Sequence, residues 1–464
     1  MIGEARFPSV HDVPGLRAAA PLVAAVVALV GMGALIPLLH QPVFILVPFA
    51  AAAAVALVAR RMDLGVYALV AATALNRYEF AVAGWNAKIE NVVLLVVLAA
   101  LALGIAAGRE RAQRLPLALV VVGLLLVNVL ASVVDSADLY KSIRIIVRMA
   151  LAVATMWVVL NYVSDRAKLF NVLRALLIVG GVTSAFGIVA LVVWHYSGRD
   201  FGIQSSPGTG AMSVKGTLWE ANIFGSYVAG MAALSGGLLL SRIRTIDRRL
   251  LCVVFTVAVV AVVLSLTRGA WLGFAAGAIL TVFFLRGARL SAVLLVVLVA
   301  VIGTAAVFQF DLGNTTQDVS ARFATMSSLR SDSTTSSRLK NVDRALSEWR
   351  QRPLLGWGTD GYHINHPDIL SRLPCPELNA LYDTGLVGLA AFALLVGAIF
   401  FRSAVASTRH REEALATVLG ALTIAGITQF IAFQVTDAFW LGFIWIYFGL
   451  MLGAVRLINE GAPA

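Results

Sequence analysis

The sequence predicts an all-α fold, a polytopic transmembrane bundle of 12–14 spans with a helical extracytoplasmic loop domain, on three observations. Hydrophobic residues make up 60% of the chain and charged residues only 13%, against roughly a quarter charged in soluble domains. Mean hydropathy is +0.88. Apolar runs long enough to cross about 30 Å of hydrocarbon as helices recur from Ala19 to Val455, and none alternates with the period of a membrane barrel.

Length and charge breaks place spans at 18–40, 44–59, 63–76, 90–108, 116–134, 144–163, 170–194, 221–240, 250–266, 269–285, 290–309, 378–401, 413–434 and 437–455. The pair 44–59 and 63–76 is short enough to be tilted or re-entrant, and the turn near Arg268 is tight enough to merge two spans. A cleavable signal peptide is not expected, because the polar start Met1–Arg17 leads into an apolar stretch with no small-residue cleavage site behind it. Cys252 and Cys375 are far apart and suggest neither a disulfide framework nor a metal cluster.

The formal charge of +11 resides in short basic clusters between spans, which is an insertion signal and not a nucleic-acid footprint. Arg60/Arg61, Arg109/Arg111/Arg114, Arg166/Lys168, Arg242/Arg244/Arg248/Arg249, Arg286/Arg289 and Arg402/Arg409/Arg411 all fall on one side. The positive-inside rule makes that side the cytoplasm, with both termini inside. Residues 195–220 and 310–377 then lie outside, and both are too long to be turns. The chain is expected to be a single transmembrane domain, 1–464, into which 310–377 is inserted as a cap. That insert has a Ser/Thr-rich stretch, Ser327–Ser337, a helical pattern from Leu339 to Trp349, and a Gly-rich turn from Leu355 to Gly361.

Basic residues on the outer side work against the topology rule and so call for a reason. Lys141, Arg144 and Arg148 recur at helical spacing and share one face, as a phosphate at the membrane surface would require. Snorkelling, or pairing with Asp135 and Asp138, is the purely structural alternative. Arg268 follows Ser265-Leu-Thr267 at a span junction, where a cation needs a partner or an anionic ligand. Lys215 stands just before a span; it either joins Arg268 in clamping a diphosphate or pairs with Glu220 at the helix end.

Four stretches, in order, resemble the O-antigen ligase and O-antigen polymerase superfamily. They are Lys215-Gly-Thr-Leu-Trp-Glu-Ala-Asn-Ile-Phe224; Leu264-Ser-Leu-Thr-Arg-Gly-Ala-Trp-Leu-Gly273; Ser336-Ser-Arg338 with Pro353-Leu-Leu-Gly-Trp-Gly358; and Leu381-Tyr-Asp-Thr-Gly-Leu-Val-Gly388. The family commonly has His-Asn about ten residues before the Thr-Gly of the last stretch, whereas this chain has Pro374-Cys375. Nearby polar residues able to accept a proton are His363, His366, Asp368, Glu377 and Asp383. Of these, Glu377, His366 and His363 are the candidate catalytic bases.

The resemblance implies a glycosyltransferase of the bacterial cytoplasmic membrane whose site faces the periplasm or cell exterior. Its donor would be a polyprenyl (undecaprenyl) diphosphate-linked glycan, and a glycan or lipid-glycan would be the acceptor. Membrane lipids surround it, and neither nucleic acid nor a cofactor is called for. Single displacement at the anomeric carbon would invert configuration, with Arg268, Lys215, Arg148, Arg144, Lys141 and Arg338 neutralising the diphosphate in place of a metal. Ligation and polymerisation both remain open, since they differ only in the acceptor. Trp194, Trp219, Trp349, Trp357 and Tyr362 are placed either to stack on sugars or to anchor the interface. A transporter or flippase for an anionic or lipid-linked substrate is the competing class; it calls for broken helices and midplane charges, while these spans are mostly free of ionisable residues. A scaffold role would leave Arg268 unexplained.

The topology is testable with single cysteines and a membrane-impermeant reagent on intact cells. Positions in 195–220 and 310–377 are expected to label and those in 241–249 and 402–412 to stay protected; external labelling of 241–249 overturns the topology.

Overall fold

The computed structural model describes residues 46–82, 85–110, 112–205, 212–241, 245–284, 333–369, 373–409 and 414–461. Spans 18–40 and 290–309, the loop portion 310–332, and Arg111, Arg242, Arg244, Arg286, Arg289 and Arg411 lie outside the described residues. The helices, numbered here in chain order, are α1 (Leu46–Arg60), α2 (Met62–Thr73), α3 (Ile89–Ala106), α4 (Ala118–Asp135), α5 (Leu139–Tyr162), α6 (Arg166–Ser197), α7 (Ala221–Leu240), α8 (Arg248–Leu264) and α9 (Arg268–Phe284). They continue with α10 (Ser333–Trp349), α11 (Gly361–Asn365), α12 (Pro376–Arg409), α13 (Ala414–Ala432) and α14 (Gly442–Asn459). Two antiparallel hairpins interrupt them, β1 (Glu79–Val82) with β2 (Trp85–Lys88), and β3 (Ile203–Ser205) with β4 (Met212–Val214).

The chain is thus an all-α polytopic membrane bundle. Eight of the described helices are long and apolar enough to cross a membrane. Every predicted span that falls on described residues coincides with a helix, with small shifts at the ends. Helices α1 and α2, at 15 and 12 residues, fall short of a straight span. Helix α6 is the opposite case: its 32 residues would run about 48 Å at 1.5 Å per residue, well beyond the hydrocarbon.

Local chemistry sets the helix starts. Asp138, Asp165 and Asp247 cap α5, α6 and α8 by accepting backbone N–H bonds from Lys141 (3.0 Å), Lys168 (2.9 Å) and Arg249 (2.9 Å). At the far end of α6, Gly198 takes the left-handed conformation and donates to Trp194 O at 2.8 Å.

Helix α7 is the centre of the bundle, with 94% of its apolar window buried, whereas α3 is 22% buried and α4 is 28% buried. Packing around α7 depends on small residues. Gly225 lies against Ser265 and Ala270, Gly230 against Gln429 of α13, and Gly236 against Phe255 of α8. The exposed faces of α4, including Leu119, Leu126 and Val133, are the lipid-facing kind.

Hydrogen bonds sort the connections onto two ends. At one end, Thr217 Oγ1 donates to Ala74 O (2.6 Å), Thr267 Oγ1 to Ala221 O (3.2 Å), and Gln434 Nε2 to Glu377 Oε1 (3.0 Å). At the other, Gln113 N donates to Asn161 Oδ1 (2.7 Å) and Arg174 Nη2 to Thr245 O (2.7 Å). The two long connections therefore share an end, opposite the described arginine clusters.

Helix α12 is broken at Gly385, where φ is 64° and ψ is −160°, a region open essentially to glycine alone. The break exposes two sets of backbone groups, and the Pro353–Gly361 turn satisfies both. Leu386 N donates to Pro353 O (2.9 Å) and Val387 N to Leu354 O (3.3 Å), while Trp357 N and Gly358 N donate to Tyr382 O and Asp383 O at 2.9 Å each. A Cβ at Gly385 would lie 2.3 Å from the Leu354 carbonyl. Gly385→Ala is accordingly expected to lower stability by about 1–3 kcal/mol, read as a lower thermal unfolding midpoint of the detergent-purified chain; an unchanged midpoint refutes the interlock.

Candidate active site

The Pro353–Gly361 turn and the Tyr382–Leu386 stretch, two of the motifs singled out in the sequence, form one unit. Besides the backbone bonds, the Asp383 carboxylate accepts from Asp360 N (2.9 Å) and Gly361 N (3.0 Å), the first amides of α11. Thr359 is fully buried and fastens the unit to the α4–α5 hairpin. Its amide donates to Ser132 Oγ (3.0 Å), its hydroxyl to Asn128 Oδ1 (2.9 Å), and its carbonyl accepts from Ser142 Oγ (2.7 Å). Gly358, at φ 86°, allows this approach: a Cβ there would sit 2.9 Å from the Ser136 side chain. Arg352 adds an ion pair with Asp135 and lies 4.1 Å from the Trp357 ring centroid.

Helix α10 supplies the other half of the cap. Its Glu348 meets His366 Nε2 at 2.9 Å, accepts from Tyr382 Oη at 2.6 Å, and offers its carbonyl to Trp357 Nε1 at 3.2 Å. A small apolar core of Ala345, Tyr362, Leu373, Leu378 and Tyr382 lies behind this cluster. Burial pushes the Tyr362 phenol up. The helix begins at Ser333, so the end of the Ser/Thr-rich stretch is helical where the sequence pattern placed the helix from Leu339.

Beside the cap lies a cleft, open at its mouth. Its charged lining is Lys88, Glu90, Arg148, Asp360, Asp383 and Asp437, with Asn91, Asn379, Thr155 and Trp440 among the other walls. Lys88 Nζ donates to Asn76 Oδ1 (3.1 Å), and Asn76 Nδ2 donates to Glu90 Oε1 (3.5 Å).

The predicted site residues divide among three places. Arg148 and Asp383 line the cleft. Arg268 is the first residue of α9 and Lys215 precedes α7 by six positions; the Thr267–Ala221 bond ties these two helix starts together. Glu220, the carboxylate a structural reading assigns to Lys215, instead accepts from Thr436 Oγ1. No carboxylate among the described residues forms an ion pair with Lys215. The remaining cations sit at the rim: Lys141 pairs with Asp138 at 3.1 Å, Arg144 lies 5.9 Å from the Tyr140 ring centroid, and Arg338 is half-buried on α10.

The candidate bases also separate. Glu377 is held by Gln434, and His366 belongs to the Glu348 cluster. His363 is half-buried, three residues after the cleft residue Asp360, and makes no hydrogen bond among the described residues. Asp368 is exposed. Cys375, of the Pro374-Cys375 pair that stands where the family commonly has His-Asn, is a free thiol pushed up by burial, so it stays protonated near neutrality. The short segment 433–441 divides the Arg268 region from the cleft: Val435 packs on Gly269, while Asp437 and Trp440 line the cleft.

Residues 250–393 match the family model described as O-Antigen ligase. This stretch is similar to the O-antigen ligase family. It runs from α8 into α12 and contains Arg268, Arg338, the three candidate bases and the interlocked motif pair, while Lys215 and the Lys141–Arg148 stripe lie before it. No curated protein matches the chain. Glycan transfer of the O-antigen ligase type is the general activity this supports, in a multi-pass membrane protein.

Sequence reasoning missed Lys88, Glu90, Asp360, Asp437 and Glu348. The first two flank the end of a four-residue strand and resemble an ordinary span boundary.

The geometry makes Asp383 a brace for the cap. Asp383→Asn leaves one of two N–H donors facing an NH₂ group, at a cost of about 1–3 kcal/mol. Faster limited proteolysis between α10 and α12 is expected with helix content unchanged; wild-type proteolysis rates contradict this role.

Proposed function

We propose that the chain transfers a glycan from a polyprenyl diphosphate carrier to an acceptor sugar hydroxyl at the outer face of the cytoplasmic membrane. The observation that carries this reading is the junction of the α7 and α9 starts, which brings two motif segments together where both helices present their positive ends. Arg268 and Lys215 hold the diphosphate there, as fork and point charge. Arg148 is the cation of the outer stripe that reaches the cleft wall, and Arg338, Lys141 and Arg144 attract the carrier's charge from the rim.

The acceptor oxygen attacks the anomeric carbon as its bond to the diphosphate oxygen breaks, inverting the centre. Neutralised diphosphate departs as the leaving group, and no step calls for a metal. The hydroxyl proton passes to a side chain of the cap. Among Glu377, His366 and His363, we assign that role to His363, because the other two already share hydrogen bonds with Gln434 and Glu348.

The transporter reading gains nothing from the broken helix. The Gly385 break falls in the first third of the 34-residue α12 and is capped by the loop, whereas transport sites favour breaks near the bilayer midplane.

Purified protein supplied with radiolabelled polyprenyl-diphosphate glycan tests the assignment. Charge-assisted contacts contribute roughly 1.5–3 kcal/mol, so Arg268→Ala is expected to slow transfer tenfold or more, and His363→Ala about 10²-fold or more with carrier binding intact. Full activity of Arg268→Ala overturns the diphosphate assignment, and near wild-type activity of His363→Ala removes it as base.

A further inference from the structure

The cleft is charged in a way that a diphosphate site is not. Its lining has two basic side chains against four acidic ones, a balance that disfavours an anion. Its cations, moreover, stand close to Glu90: both Lys88 and Arg148 act electrostatically on that carboxylate. The carrier's diphosphate therefore belongs at the Arg268 and Lys215 junction, across the 433–441 segment, and the cleft is left for the other substrate.

Its remaining chemistry is that of sugar recognition. Carboxylates accept hydroxyl hydrogen bonds, and the Asn379 side-chain amide both donates and accepts. Trp440, half-buried and stacked on Trp445 with centroids 5.4 Å apart, sets a fixed ring in the wall. Glu90 is only 9% exposed and is held in the wall between the Gly442 backbone and Asn76.

We propose that this cleft is the acceptor-sugar subsite, and that its acidic balance selects a neutral or amino-bearing sugar over a uronic acid. The proposal rests on the reading of the chain as a glycan transferase. Asp437, on the segment between the two subsites, imposes the selection, since a sugar carboxylate entering the cleft meets like charge there and at Asp360.

Saturation-transfer NMR on the detergent-solubilised full chain, without donor, reads the subsite directly. The probes are methyl glucoside, glucosamine and glucuronate. Methyl glucoside and glucosamine are expected to give signals at least fivefold stronger than glucuronate. Asp437→Asn should narrow that difference, and Trp440→Ala should weaken the signals of both favoured sugars. Equal signals for methyl glucoside and glucuronate, discrimination unchanged in Asp437→Asn, or no signal from any probe overturns the proposal. The transfer assay separates the two readings. Absence of transfer with sugar discrimination intact counts against the transferase alone, and transfer to uronate-ended acceptors as fast as to neutral ones counts against the subsite alone.

Discussion

The functional end of this protein depends on one reciprocal set of backbone hydrogen bonds. A helix that breaks in a membrane protein leaves amides and carbonyls that neither lipid nor its own next turn can satisfy. Here the break at Gly385 is met by the Pro353–Gly361 turn, which accepts from Leu386 and Val387 and donates to Tyr382 and Asp383. Each partner is irregular backbone that the other makes tolerable. Everything built on the pair inherits its position: α11 through the Asp383 carboxylate, the cleft wall through Asp360, and the attachment to α4 and α5 through Thr359.

Charge is partitioned around that frame. Cations occupy the helix starts at Arg268 and the rim along α5, while carboxylates gather on the cap side of the cleft. On the proposed function, an activated glycosyl donor and a hydroxylic acceptor have opposite electrostatic needs, and two neighbouring compartments of opposite bias would keep each substrate in its own place. The 433–441 segment is the partition. It is fixed on one face by Thr436 to Glu220, and Gln434 at its start binds Glu377.

The helical spans were legible in the sequence because a 20-residue apolar run has few alternative structures in lipid. Motif order also singled out Arg268, Lys215 and the Thr-Gly stretch, which lie at helix starts of the bundle and at the Gly385 break. The cleft was not legible. Lys88 and Glu90 sit where any span is expected to begin, and Asp437 reads as the first residue of the span 437–455, whereas the helix starts at Gly442. What makes these residues neighbours is contact between helices far apart in the chain, which leaves no periodicity behind. The β-hairpins escaped for a related reason: strands of three or four residues carry too little alternation to register. Glu348 read as a solvated helix residue, and only the docking of Tyr382 and His366 turns it into a hub.

Thr359 binds Asn128 across 231 positions of chain. During synthesis, α4 and α5 are made long before the turn they hold, and α12 follows later still. Until then Ser132 and Ser142 have only their local bonds to Asn128 O and Ser136 Oγ, and the cleft wall carried by Asp360 cannot form before the turn is made. A lesion in the 353–361 turn would then yield chains that are fully inserted yet incomplete. Such chains would present cellular quality control with an end of the bundle that never matured.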